Sequence, residues 1–261
     1  MEDAIEKFAI FGGVSWGKID TSKPSFELIT KLILDDYSYI RNDINELTDG
    51  QPLYHSILSA IALSDGKAHA VYKRARVEES VGQKAIETLL ERGLIRLKRI
   101  RGADDKFYFT LPFLRFWFAF VSPLFKGVRD GDYKEVEERW KSYENEFTHL
   151  PFTELSHLLV RQQLKGAQIM DIGEYWRNDG LLIDIYAKTK DKKEIVGSCK
   201  YTNTKVKKSE ISKLDEMAKK ANIDIDIMII VAKKGFSKEL KSLKNEKLKL
   251  LTLKNFKTLV E

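Results

Sequence analysis

An aspartate in the middle of one apolar run and a lysine in the next are the residues of this chain best placed to do chemistry. Asp184 sits within LLIDIYA (181–187) and Lys200 within EIVGSCKY (194–201), and a short polar turn from Lys188 to Lys193 separates the two runs. Strand side chains alternate between faces with a period of two, so an Asp on one strand and a Lys on its hairpin neighbour can share a face. Ser198 shares that face with Lys200, and Glu154, on the helix expected ahead of these strands, can lean over the same edge. An ionised group inside a strand is costly to bury unless it is paired or binds a metal. Two readings follow: a structural Asp184–Lys200 salt bridge near the sheet edge, or a site in which carboxylate and ammonium serve a common reaction.

The rest of the chain must hold these groups in place. At 261 residues it exceeds one ordinary core, so two or three packing units are expected. The hydrophobic fraction of 43% supports a real core and excludes a wholly disordered chain. No apolar run reaches the roughly 18–20 residues of a spanning helix, which argues against an integral membrane protein. The acidic start, MEDAIEKFAI, does not read as a signal peptide. The single cysteine, Cys199, lies in an apolar strand-like run and points to a reducing, cytoplasmic setting. A net charge of +6 is only a mild hint of nucleic acid, because solubility alone accounts for such a value.

The periodicities predict an α+β multi-domain chain. Residues 1–50 read as a helical segment, with one amphipathic helix between Ser25 and Gly50. Residues 51–111 hold a helix from Pro52 to Ile61, another from Lys67 to about Val77 and a third from Ser80 to Arg92 with Val81 on its apolar face. A hairpin of LIRLKRI (94–100) and KFYFTL (106–111) follows. Three short helices and a hairpin are the order of a winged helix. Residues 112–150 form an aromatic-rich helical connector, including a charged helix from Lys134 to Phe147 with Val136, Trp140 and Tyr143 facing inward. Pro151 then opens a domain (151–261) of helix, three strands, helix, strand, helix and strand, which is α/β with a mixed central sheet.

The order helix-Glu, Asp, spacer, then acid-x-Lys in the next strand resembles the PD-(D/E)XK, restriction-endonuclease-like nucleases. In that family the acids hold Mg²⁺ and the Lys positions or activates the attacking water, which suits a reaction that needs charge stabilisation on attacking and leaving oxygens. A second resemblance spans nearly the whole chain. FGGVSW (11–16), LLERGLIRLKRI (89–100), FYFTLPFLRFWFAFV (107–121), IGEYW (172–176), LLIDIYA and VGSCKY (196–201) are similar to segments of the archaeal-type AAA ATPase family that ends in the DUF234 domain.

This chain departs from both patterns. No GxxxxGK[ST] occurs, so the phosphate-cradling P-loop is missing and residues 1–50 resemble only the tail of the ATPase module. The family's Glu-Cys-Lys reads Ser198-Cys199-Lys200, and a neutral hydroxyl is a much weaker Mg²⁺ ligand than a carboxylate. Carried over, the site is Glu154, Asp184 and Lys200, with Ser198 in the place of an acid and Asp184 and Glu154 as the metal ligands. The resemblance therefore implies a degenerate nuclease fold, or residual Mg²⁺-dependent hydrolysis resting on those three residues. Nothing in the spacing brings Glu174 or Glu194 into the set.

In a winged helix the third helix and the hairpin meet nucleic acid, which nominates Ser80, Gln83, Lys84, Lys98, Arg99 and Arg101, with Lys106 also on the wing. DNA is the expected partner. Glu78, Glu79, Glu87 and Glu91 flank the same helix and would repel phosphates, so a protein-interaction or regulatory module left over from an ATPase, docking on a protein partner or a separate ATPase, is the rival reading. A third is that an ATPase precedes this segment in a longer protein. The four histidines have no metal-ligand spacing. Neither the oligomeric state nor the DNA sequence recognised is legible.

Overall fold

The hydrophobic spacings become the expected order of helices and strands in the computed structural model, which describes residues 1–15, 17–100 and 103–259. The chain is α+β and divides into two compact units, residues 6–144 and residues 1–5 with 145–261. No helix of the described residues is long and apolar enough to cross a membrane.

The 6–144 unit is mostly helical. It begins within α1 (Glu2–Phe11), then α2 (Ser25–Ile29) runs into a π-helical turn (Thr30–Leu34) before α3 (Tyr37–Leu47). The single helix expected over 25–50 is thus broken. The wide turn closes with the Asp35 N–H donating to Thr30 O at 2.9 Å. Asp36 (φ −95°, ψ 16°) then leaves helical geometry before α3 starts. Helices α4 (Pro52–Ala62), α5 (Ala68–Ala75) and α6 (Glu79–Glu91) follow, Pro52 standing in the first turn where its missing N–H costs nothing. Along α6 the buried face is Gly82, Ala85, Ile86 and Leu89, whereas Val81 is exposed, contrary to the periodicity. The register turns on Gly82: a Cβ there would lie 2.5 Å from the Tyr72 ring, so only glycine lets α5 and α6 approach at that point.

Strands β1 (Ile95–Lys98) and β2 (Lys106–Phe109) form the expected hairpin, Ile95 opposite Phe109. The segment before α5 adds to it, with the Phe107 N–H donating to Gly66 O and the Ala68 N–H to Asp105 O, both at 2.8 Å. That extra pairing covers Lys106, which is 7% exposed and lies over the Tyr108 ring; it is not the solvent-facing wing residue expected. The aromatic run becomes α7 (Pro112–Phe116), a π-helical turn (Trp117–Val121) and α8 (Phe125–Arg129), with Phe113 to Val121 buried except Arg115.

Two helices were expected around Pro151, but α9 runs unbroken from Lys134 to Gln163. Pro151 removes one helical hydrogen bond, and the flanking packing outweighs the loss: Phe147 is buried and Phe152 is fully buried, stacked on Phe256 at 5.4 Å. Val136 and Trp140 face inward as expected, while Tyr143 points to solvent.

The second unit is built on a five-stranded sheet of β3 (Ile169–Trp176), β4 (Leu182–Thr189), β5 (Glu194–Lys200), β6 (Ile227–Ala232) and β7 (Leu248–Thr252), in that spatial order. The first three strands are an antiparallel meander, and β5–β6 and β6–β7 are parallel. Helix α10 (Ser209–Ala221) makes the β5–β6 crossover and α11 (Lys238–Ser242) the β6–β7 one. One core packs Ile185, Ile195, Cys199 and Val231 with Phe152 and Leu159 of α9. The other packs Ile183, Val196 and Ile230 with Leu214 and Ala218 of α10. Ile183 and Ile185 therefore serve opposite cores although they are two residues apart, so the alternation of β4 is broken at Asp184.

Candidate functional site

That break places Asp184. The β4–β5 ladder runs from Lys188 opposite Glu194 to Ile185 opposite Gly197. Beyond it the Asp184 side chain takes over, and the Cys199 N–H donates to its Oδ2 at 2.8 Å. Two histidines of α9 fasten the same place. His149 Nε2 donates to Cys199 O at 3.0 Å and His157 Nε2 to Asp184 O at 2.7 Å, which puts each ring proton on Nε2 because a carbonyl can only accept. These histidines anchor α9 to β4 and β5.

Burial pushes the Asp184 carboxyl above the usual range; the Cys199 N–H and nearby His149 and Lys200 oppose that shift, and Glu174 adds to it. Glu174 sits on β3 where the pairing with β4 shifts register between Gly173 and Tyr175, and it is buried close enough to Asp184 for their charges to interact, a proximity that spacing did not suggest. Glu194 is committed elsewhere, accepting from the Tyr186 hydroxyl at 2.7 Å and pairing with Lys188 at 3.0 Å. Cys199 is buried, and burial drives its thiol well above the ordinary value, as fits an inert strand cysteine.

Asp184, Ser198 and Lys200 line one cavity of about 380 Å³ together with Leu182 and residues of α10. The direct Asp184–Lys200 salt bridge left open by the sequence does not form: Lys200 Nζ pairs with Glu210 Oε1 at 2.8 Å. The Asp184 carboxylate is held by a backbone N–H, and α10 brings a second, better buried carboxylate to the lysine. Glu210 is only 6% exposed. Ser198 Oγ, in a residue 2% exposed, has no hydrogen-bond partner. Glu154 stands half-buried on α9 and is not among the residues that line this cavity. The sequence brought Asp184, Ser198 and Lys200 together but missed Glu210. Its one signal is an acid in the first turn of α10 amid Lys207, Lys208 and Lys213.

Asp184→Ala leaves the buried Cys199 N–H without an acceptor, whereas Asp184→Asn keeps a side-chain oxygen for it. The alanine variant is expected to be less stable than the asparagine variant by about 1–3 kcal/mol, as urea denaturation of the two would show.

Mg²⁺, which the resemblance implies, takes hard oxygen donors and keeps several waters. Among the described residues no group of three or more His, Cys, Asp or Glu is placed to hold a metal ion. Of the expected pair of ligands, Asp184 faces the cavity and Glu154 does not line it. The oxygen-bearing side chains that do line it are those of Asp184, Ser198, Glu210 and Glu216, but Ser198 Oγ and Glu210 Oε1 are buried and Glu210 is paired with Lys200, so this set does not fit the open, hydrated site Mg²⁺ takes.

In the helical unit, Ser80, Gln83 and Lys84 are exposed on α6, as is Arg99 at the end of the hairpin; Lys98 is half-buried and Arg101 lies outside the described residues. Gln83 Nε2 donates to Glu79 at 3.2 Å, and Arg99 pairs with Asp105 at 3.2 Å. Gln83 and Arg99 line a cleft of about 360 Å³ whose wall also carries Glu79, Glu87, Asp104 and Asp105.

Residues 117–214 match DUF234, described as archaea bacterial proteins of unknown function. The match covers less than half of the chain, from the aromatic π-helical turn to the first half of α10, and so takes in Asp184, Ser198, Lys200 and Glu210. No curated protein and no solved structure matches the chain.

Proposed function

We propose that this chain is a DNA-binding protein in which a winged helix accompanies a restriction-endonuclease-like domain, and that the donor set of that domain departs from the PD-(D/E)XK pattern. The observation that carries the reading is the gathering of Asp184, Ser198 and Lys200 from two neighbouring strands into one cavity, on a sheet made of an antiparallel meander and a parallel crossover. Lys213 and Lys220 on the cavity wall add positive charge for an approaching phosphate backbone, although Glu216 pairs with Lys220. With Ser198 in the place of an acid and Lys200 bound to Glu210, the residues implied by the family do not by themselves support cleavage. The domain is, in that sense, degenerate. Without a P-loop the chain is not read as an ATPase.

Gel shifts of a short duplex in EDTA across a salt series test the binding. Affinity should fall steeply with salt, and Lys213→Ala should weaken binding uniformly across sequences while reducing the salt slope by about one. Absence of a shift at about 50 mM salt counts against the reading.

One observation favours the rival. The α5–α6–hairpin cleft presents Glu79, Glu87, Asp104 and Asp105 beside the residues nominated to read DNA, and that charge repels phosphate. On this second reading the helical unit is a protein-interaction module taking a basic segment of a partner, and DNA binding stays flat in the salt series.

A further inference from the structure

We infer that the lysines around the β7 edge of the sheet form a surface for the phosphate backbone of a DNA duplex, held without regard to base sequence. The inference rests on the DNA-binding reading for its ligand and goes beyond it in place, because neither the cavity nor the winged helix holds these residues.

Charge is the first observation. Residues 233–257 hold nine lysines against Glu239 and Glu246, a net +7 where the whole chain has +6. The rest of the chain is therefore close to neutral, and the excess positive charge belongs to one stretch. Pairing is the second. Elsewhere in this unit Lys188, Lys193, Lys200 and Lys220 each face a carboxylate, and Lys233 and Lys234 share Glu2. Lys238, Lys241, Lys244, Lys249, Lys254 and Lys257 make no ion pair among the described residues, and all but the half-buried Lys249 are exposed.

Placement is the third. Leu240 of α11 packs with Leu248 and Leu250 of β7 in the core on the α10 side. Leu251 and Phe256, the latter in the 3₁₀ segment Leu253–Leu259, pack in the core on the α9 side. So α11 lies on one side of β7 and the 3₁₀ segment on the other, and Lys249 alternates away from Leu248 and Leu250 onto that second side. No strand lies beyond β7 among the described residues, so the lysines flank an open sheet edge from both faces.

Lysines guard many sheet edges against pairing, but a guard needs none on the flanking helix and turn. Lysine is depleted from protein–protein interfaces, which are built on apolar anchors. Here Leu243 is the one large apolar residue exposed among these lysines in the described residues. Dispersed ammonium groups without an anchor suit the duplex backbone, where each phosphate neutralised releases counterions.

The test is the salt dependence of a short duplex of arbitrary sequence binding to the full chain, read by fluorescence anisotropy. Lys238→Gln, Lys241→Gln, Lys254→Gln and Lys257→Gln are combined, Lys249 being kept so that the edge stays guarded. This patch variant should lose about three from the salt slope and bind at least about tenfold more weakly, and the matching Arg substitutions should restore both. Lys165→Gln, Lys190→Gln, Lys192→Gln and Lys219→Gln, combined at exposed positions elsewhere in the unit, remove the same charge and should lower the slope by less than about one. Circular dichroism and light scattering verify that each variant is folded and dispersed. An unchanged slope in the patch variant, an equal drop in the control, or no duplex bound by wild type at about 50 mM salt overturns the inference. So does tighter capture by vesicles of equal phosphatidylserine and phosphatidylcholine than by duplex, which makes the patch a membrane surface. The two readings fail separately. Binding that survives the patch variant but not Lys213→Ala removes the inference and leaves the cavity contacts, and the reverse removes the cavity contacts alone.

Discussion

Gly197→Ala is expected to cost about 3 kcal/mol and to lower the denaturant midpoint of the five-stranded unit markedly. Gly197 lies on β5, where the sheet changes from antiparallel to parallel, opposite Ile185 on one side and Ile229 on the other. A Cβ there would stand 2.4 Å from the Ile229 carbonyl oxygen and 3.2 Å from Ile185 Cβ. The first of these neighbours is backbone in a central strand, so it cannot yield as the tip of a flexible side chain does. Relief has to come from spreading β5 and β6, whose ladder then loosens on both sides of the substitution. Because Ser198 and Cys199 follow directly, the same spreading should loosen the Cys199–Asp184 hydrogen bond. Hydrogen exchange at Cys199 should therefore rise in the variant even at temperatures where it remains folded, and native-like protection there would contradict the argument.

Trp140→Ala is expected to have the largest effect on the helical unit, about 3–5 kcal/mol. The indole is 2% exposed and meets Phe116 and Phe120 edge-on at 5.7 and 5.3 Å, while those two rings stack on each other at 5.2 Å. Truncation removes a ring against which both phenylalanines pack and leaves a void that the π-helical turn over Trp117–Val121 must line. Trp140→Phe, which keeps an edge-to-face partner, should recover most of the loss. Equal midpoints for the two variants in chemical denaturation would show that the cluster geometry contributes little.

Much of the scaffold was legible because it rests on local periodicity. The alternation in LIRLKRI and KFYFTL produces strands within two residues of their expected places, and the apolar run DIDIMIIVA (224–232) becomes β6, which starts three residues late at Ile227. What escaped was decided by tertiary contacts. Pro151 reads as a boundary in one dimension, yet the burial of Phe147 and Phe152 carries α9 through it. Lys106 reads as a wing residue, yet pairing of the chain at Gly66 covers it. The site divides in the same way. Asp184, Ser198 and Lys200 are close along a hairpin and so were found together, whereas Glu210 arrives on a crossover helix and its burial leaves no mark on the sequence. Glu154 was carried over by resemblance, and the cavity does not draw on it.

The uneven pairing of β3 also bears on how this protein behaves in concentrated solution. β3 is an edge of the five-stranded sheet, and an exposed edge offers its free N–H and C=O groups to any strand of another molecule. Its register slips against β4 between Ile169 and Asp171 and again between Gly173 and Tyr175, so a straight eight-residue template is never presented. Such bulges twist an edge away from regular pairing, and the exposed Asp171 adds a charge along it. The irregularity at Glu174 is thus also a guard against edge-to-edge aggregation, and straightening it would be paid for in solubility before it was felt in stability.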